Sequence, residues 1–334
     1  MRTRANLLTD VPGILVGNAA DLRLASGVTV ALLDPPAVAG VHLFGGAPAG
    51  RDQECLEPDR TVERVDAIVL SGGSGYGLDA ASGVQAWLRE RGRGLRVGPA
   101  LVPVTPTAIL FDLLNGGDKE WGRFPPYREL GHAACEAAGS GFALGTAGAG
   151  HGATTVDLKG GLGSASAVTS AGHLVGALAV ANSLGSAVIG AGPHFWAAPF
   201  ELGDEFGGLG VPSRPAPEAL RLRWKGQSQP ATTLAIVATD ATLTKAQAKR
   251  LAIVASGGLP RALRLAGAAM DGDTVFAVST GRGAAPDGDG TVELGAVAAD
   301  CLARAVTRGV YEATALDVGP PLPSWRDLFV SATG

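Results

Sequence analysis

Apolar residues along this chain gather in short β-branched runs, set apart by glycine- and proline-bearing connections and interleaved with stretches of helical spacing. The runs at 27–33, 67–70, 108–113, 174–181, 234–238 and 274–279 predict strands. The spacing at 78–91, 130–138, 244–256 and 292–307 predicts helices. Residues 67–70 pass through Ser71-Gly72-Gly73-Ser74-Gly75-Tyr76-Gly77 into the helical pattern at 78–91, a strand, a glycine turn and a helix in succession. The run 234–238 is short, apolar and bounded by polar residues, as expected of a strand covered on both faces. From about 193 to 231 the patterning lapses into aromatic, acidic, proline and polar residues, which reads as a long loop or linker. The alternation of the two element types predicts a layered α/β structure, with no fixed-period repeat.

Composition narrows the function classes. With 334 residues, 46% hydrophobic and 17% charged, the chain has the length and apolar content of a soluble globular protein, one large domain or two. Fifty glycines and 21 prolines lie mostly between the apolar runs and fit many tight connections. A formal charge of -4, without a basic block, argues against nucleic acid and for a small ligand. Cys55, Cys135 and Cys301 are odd in number and widely separated, which is neither a disulfide framework nor metal-ligand spacing. His42, His132, His151, His173 and His194 show no paired spacing, so neither a metal nor another cofactor is expected. The start, Met1-Arg2-Thr3-Arg4-Ala5-Asn6, carries no hydrophobic leader, and no apolar run approaches the roughly 18 residues of a membrane span. A cytoplasmic enzyme with no membrane association is the expectation.

Candidate chemistry centres on Ala231-Thr232-Thr233, at the start of the 234–238 strand. A threonine hydroxyl needs a base to act as a nucleophile at neutral pH. A cut between Ala231 and Thr232 would supply one, because the freed α-amine has an ordinary pKa of about 7.7–8.0. The preceding segment, Gly226-Gln227-Ser228-Gln229-Pro230, is one in which a break would cost little folding energy. Asp271-Gly272-Asp273-Thr274 stands before the 274–279 strand, where two carboxyls could tune an amine or simply form a turn. Asn182 ends the 174–181 run, where its amide could hold an oxyanion or serve a turn. Other glycine-bearing stretches are less specific. The turn at 72–77 lacks G-x-G-x-x-G spacing, which argues against a dinucleotide, though Gly73, Ser74 and Tyr76 could line a pocket. Asp287-Gly288-Asp289-Gly290 lacks the spacing of a calcium loop. The stretch from Gly148-Ala149-Gly150 through Lys159-Gly160-Gly161-Leu162-Gly163-Ser164-Ala165-Ser166 could wrap a ligand or turn twice.

Taken in order, Leu8-Thr9-Asp10-Val11-Pro12-Gly13, Gly45-Gly46-Ala47-Pro48, the 67–81 segment, Gly148-Ala149-Gly150, Asn182, Thr232-Thr233 through Lys245-Ala246-Gln247-Ala248, and Asp271-Gly272-Asp273 resemble the DmpA and β-aminopeptidase family of self-processing N-terminal-nucleophile hydrolases over nearly the whole chain. The resemblance implies a four-layer αββα sandwich, of the type shared with ornithine acetyltransferases, forming a single catalytic domain. It implies an α chain of residues 1–231 ending in the 193–231 linker, and a β chain of 232–334. Thr232 matches the family's nucleophile, Asn182 its oxyanion-hole asparagine, and Asp271 and Asp273 its acidic pair. The implied partner is a small peptide or amide substrate, and the implied assembly is a homo-oligomer, a tetramer in relatives.

Three positions depart from the pattern. Ala231 stands where threonine-type members carry Asn, Asp157 falls where a lysine is expected with Lys159 close by, and Phe111 replaces a tyrosine found near the site in some relatives. Two readings follow: an autoprocessed aminopeptidase or amidohydrolase acting through a Thr232 acyl-enzyme, and an uncleaved small-molecule-binding protein of the same fold.

Overall fold

The computed structural model describes residues 4–226, 230–319 and 322–330. Residues 227–229 of the expected linker lie outside that set. In chain order the elements are β1 (Ile14–Asp21), β2 (Ser26–Leu43), β3 (Gly50–Arg51), β4 (Val65–Ser71), α1 (Ala80–Glu90), β5 (Leu95–Val97), β6 (Ala100–Val102), β7 (Thr107–Ile109), α2 (Tyr127–Glu136), β8 (Leu162–Val168), β9 (Leu174–Asn182), β10 (Thr232–Thr239), α3 (Lys245–Ala255), α4 (Gly258–Ala262), β11 (Thr274–Ser279), α5 (Gly288–Tyr311) and α6 (Trp325–Phe329).

One strand ties two sheets together. The first half of β2 pairs antiparallel with β1, Ile14 opposite Leu33, and with β4, Thr29 opposite Leu70. After the break at Asp34-Pro35-Pro36 the second half pairs antiparallel with β11, Val41 opposite Phe276. One sheet thus runs β3-β7-β4-β2-β1, and the other runs β2-β11-β10-β9-β8. Within the second sheet β10 is parallel to β11 and antiparallel to β9.

The two-residue period of a strand sends alternate side chains to opposite faces. Ala31, Leu33, Ile68 and Leu70 of one sheet meet Leu178, Val180, Leu234, Ile236, Phe276 and Val278 of the other in a central apolar layer. Their neighbours face outward: Val28, Val30, Ala67 and Val69 pack under α1 and α2, and Ala177, Ala179, Ala235, Val237 and Ala277 pack under α3, α4 and α5. Three apolar layers separate four structural ones, giving the αββα sandwich that the resemblance implies.

The helices begin where local chemistry starts them. Thr244 caps α3, its hydroxyl accepting the Gln247 N–H at 3.3 Å while the Gln247 side chain accepts the Thr244 N–H at 2.9 Å. Asp287 caps α5 by accepting the Gly290 N–H at 2.7 Å, so the helix starts four residues before the periodic pattern suggests. Between β9 and β10 the described chain forms two 3-10 turns, Ala198–Phe200 and Pro217–Leu220, and isolated bridges such as Val188 with Phe195. Even so it is anchored, with Phe195 stacked on Trp325 at 5.4 Å and Glu205 paired with Arg304 in the interior. Among the described residues no helix is long and apolar enough to cross a membrane.

Candidate active site

β10 is buried along its whole length, and its alternation carries Thr232 to the same inter-sheet face as Leu234 and Ile236. Asn182, the last residue of β9, is the direct partner of Thr232 in the antiparallel ladder, on the same face as Leu178 and Val180. Thr232 Oγ1 donates to the carbonyl oxygen of Ala231 at 2.6 Å. That same oxygen accepts the Gly272 N–H at 3.0 Å, because Ala231 pairs as a parallel bridge with Asp271. A Cβ added to Gly272 would lie 2.5 Å from Thr232 Oγ1, so the glycine permits the close approach.

The two aspartates differ in their bonding. Asp273 accepts the Thr233 N–H at 2.6 Å and the Gly267 N–H at 2.7 Å. Burial nonetheless pushes its carboxyl above the usual range, against the pull of those two amide bonds. Asp271 is fully buried and neither of its oxygens makes a hydrogen bond of normal geometry. Burial, and then the neighbouring Asp273 charge, raise it well above an ordinary carboxyl, so the proton is retained near neutrality.

Asn182 is held from three sides. Its Oδ1 accepts the Thr154 N–H at 3.0 Å and an Nζ–H of Lys225 at 3.4 Å, while Nδ2 donates to the Phe111 carbonyl at 3.0 Å. One Nδ2 hydrogen is left over, available to an oxyanion. Lys225 Nζ also donates to the Thr154 carbonyl at 2.8 Å. Lys159 Nζ donates to the carbonyls of Gly150, Ala153 and Gly160 at 3.0, 2.8 and 2.8 Å. Burial pulls both ammonium groups down to about 7, against the attraction of Asp271 for Lys225 and of Asp112 for Lys159.

Both lysines line a cavity of about 280 Å3 whose walls include Phe111, Asp112, Thr154 and Pro230, with Leu316, Val318 and Leu322 supplying an apolar side. Pro230 stands two residues before Thr232, and Lys225 is bonded to Asn182, so the cavity abuts the same end of the sheet. Its size suits a small ligand. Cysteine chemistry finds no support here, since burial pushes the Cys135 and Cys301 thiols up to about 12. Among the described residues no group of His, Cys, Asp and Glu has the geometry to hold a metal.

The family model of peptidase family S58 matches residues 6–319. The chain belongs to peptidase family S58. An uncharacterized aminopeptidase of Mycobacterium tuberculosis is 40% identical, over 98% of this chain and 99% of that protein. Among solved structures, a β-aminopeptidase of Burkholderia sp. superposes with a TM-score of 0.71 at 24% identity, over 98% of this chain and 92% of its own. An L-aminopeptidase D-Ala-esterase/amidase from Ochrobactrum anthropi, described as a variant of the Ntn hydrolase fold, gives 0.71 at 21% identity, covering 96% and 90%. These neighbours support the fold reached from the layers above.

In this S58 peptidase, Thr232, Asn182, Asp271 and Asp273 lie together at one end of the second sheet. Phe111 reaches the group through its backbone carbonyl and lines the cavity. Gly73 stands one bond behind the cavity wall, its N–H donating to Asp112 Oδ1 at 2.7 Å. Its backbone is left-handed, with φ 83°, and a Cβ there would lie 2.1 Å from the Tyr127 ring, so close packing accounts for this glycine. Ser74 donates its N–H to the Leu110 carbonyl, and Tyr76 is exposed with its ring edge-on to Trp121 at 5.1 Å; neither is among the residues lining the cavity. Asp157 pairs with Arg223 at 2.8 Å, while Lys159 takes the buried position on the cavity wall. Lys225 and Asp112 escape the sequence patterns. The trace of Lys225 is that it is the single lysine in the 193–231 stretch, among several arginines.

Proposed function

We propose that the protein is an autoprocessed N-terminal-nucleophile aminopeptidase or amidohydrolase, with Thr232 as its nucleophile. The observation carrying this reading is the Thr232 hydroxyl against the Ala231 carbonyl, whose oxygen already receives the Gly272 N–H. In maturation Thr232 Oγ attacks the Ala231 carbonyl carbon and the C–N bond breaks. The hydroxyl proton passes to nitrogen, and water hydrolyses the resulting ester. The products are an Ala231 carboxylate and a Thr232 that carries both hydroxyl and amine.

Turnover then repeats the chemistry on an external amide. The α-amine takes the Oγ proton, Oγ attacks the substrate carbonyl, and the leaving amine takes that proton as it departs. Water releases the acyl group from the Thr232 ester. The remaining Nδ2–H of Asn182 and a backbone N–H such as that of Gly272 hold the oxyanion. Asp271 supports this reading from another side. Asp271 makes no hydrogen bond of normal geometry in the uncut chain, and the neutral Thr232 amine released by the cut offers its carboxyl a hydrogen-bonding partner. The cavity of about 280 Å3 favours a small peptide or amide.

The test is Thr232→Ala, which is expected to give one uncut, folded and inactive chain, while Thr232→Ser retains the cut. Cleavage at 231/232 in Thr232→Ala would sink the assignment. A wild-type chain that stays uncut and binds an amide without turnover would instead support a binding protein.

A further inference from the structure

Lys225 is a long cation from an irregular segment, yet it is almost fully buried and its head lies inside the candidate site. Its backbone N–H is fixed to the Leu184 carbonyl at 2.9 Å. Its Nζ reaches the Thr154 carbonyl at 2.8 Å and Asn182 Oδ1 at 3.4 Å. Apolar packing does not need an ammonium there, and burying one without a full carboxylate partner is expensive. Asn182 has no need of it for orientation either, since the Thr154 N–H and the Phe111 carbonyl already fix which end of the amide points where. What Lys225 adds is charge. A cation bound to an amide oxygen draws electron density from the nitrogen and makes the opposite N–H a stronger donor.

We propose that Lys225 is a positioning residue of the Thr232 reaction, its ammonium polarising the Asn182 amide from behind so that Nδ2–H binds the developing oxyanion more strongly. This rests on the function proposed above. The effect belongs to the transition state, where the oxygen becomes negative, and therefore to kcat and to the rate of self-cleavage rather than to KM. The charged and titratable groups around it are Asp271, ahead of β11, and Lys159 and Asp112 on the cavity wall. Of these Asp271, once ionised, favours the charged form of Lys225.

The experiment compares wild type, Lys225→Met and Lys225→Arg for the mass of the chains, thermal stability and the pH profile of amino-acid p-nitroanilide hydrolysis. Lys225→Met is expected to lower kcat and slow self-cleavage by about ten- to a hundredfold, the worth of one charge-assisted hydrogen bond, with KM within about twofold. Lys225→Arg is expected to restore most of the rate and to move the alkaline limb of the profile upward, because a guanidinium keeps its proton. Unchanged kcat in a folded Lys225→Met, a rise in KM alone, or an Arg variant no better than Met with the limb unmoved would each overturn the proposal. If Lys225→Met does not fold, the shift of the limb in Lys225→Arg decides. A wild type left uncut at 231/232 overturns the parent reading; a cut, active wild type matched by Lys225→Met overturns this inference alone.

Discussion

Asn182 and Thr232 face one another as ladder partners at the end of β9 and β10, both turned toward the gap between the two sheets. An amide donor and a hydroxyl are thus held a strand spacing apart by backbone pairing alone, before any side chain contributes. Asn182→Ala should lower the hydrolysis rate by about a hundred- to a thousandfold, the usual cost of losing one oxyanion donor. Steady-state kinetics on the cut enzyme checks this. A rate within threefold of wild type would remove Asn182 from the mechanism.

Gly272 is where added bulk meets the nucleophile. Gly272→Ala places a methyl against Thr232 Oγ1 and near the Ala47 carbonyl. The variant is expected to be cut slowly or not at all while still unfolding cooperatively, with a thermal midpoint lowered by the crowding. Denaturing gel analysis over several days of incubation reads this directly, and normal processing would mean that Thr232 moves before it reacts.

Asp273 holds two backbone amides as well as a charge. Asp273→Ala leaves the Thr233 and Gly267 N–H groups without their acceptor, at about 1–3 kcal/mol each. Urea denaturation of the uncut Thr232→Ala background should show a loss of about 2–6 kcal/mol for the two together, whereas Asp271→Ala, whose carboxyl makes no hydrogen bond of normal geometry, should cost less. A larger loss from Asp271 would contradict the bonding described above.

Stability of the uncut Thr232→Ala chain should depend on pH with a definite sign. The raised Asp271 carboxyl keeps its proton in the folded chain over a window in which the unfolded chain, at about 3.8, has lost it. The folded state then binds more protons, so stability falls as pH rises from about 4 toward neutrality. Lys225 and Lys159 act oppositely: lowered from 10.5 to about 7, they bind fewer protons folded than unfolded, and stability rises between those values. Asp273, also raised by burial, adds to the same falling limb, so Asp271→Asn should flatten it in part. A falling limb unchanged in that variant would place the proton elsewhere.

Much of this architecture can be read from the chain, and the parts that cannot have physical reasons. β4, β9, β10 and β11 are apolar runs, and each falls within about two residues of its predicted place. β8 reads as a turn because Leu162-Gly163-Ser164-Ala165-Ser166 is built from small residues. Gly163 and Ala165 are small because α5 lies against them, and a Cβ on Gly163 would sit 2.0 Å from the Ala305 carbonyl. The second half of β2 is hidden by Asp34-Pro35-Pro36, which looks like a stop but marks the passage between sheets. Thr232, Asn182, Asp271 and Asp273 are visible because each stands at the end of an apolar run. Lys225 is not, since its place is set by an irregular segment folding back over the site.

The central claim is that the chain cuts itself before Thr232, and the intact mass of the purified wild-type protein under denaturing conditions, with N-terminal sequencing, tests it most directly. The account predicts two chains, the smaller beginning Thr232-Thr233-Leu234. A single uncut chain, or a smaller chain beginning elsewhere, would contradict it.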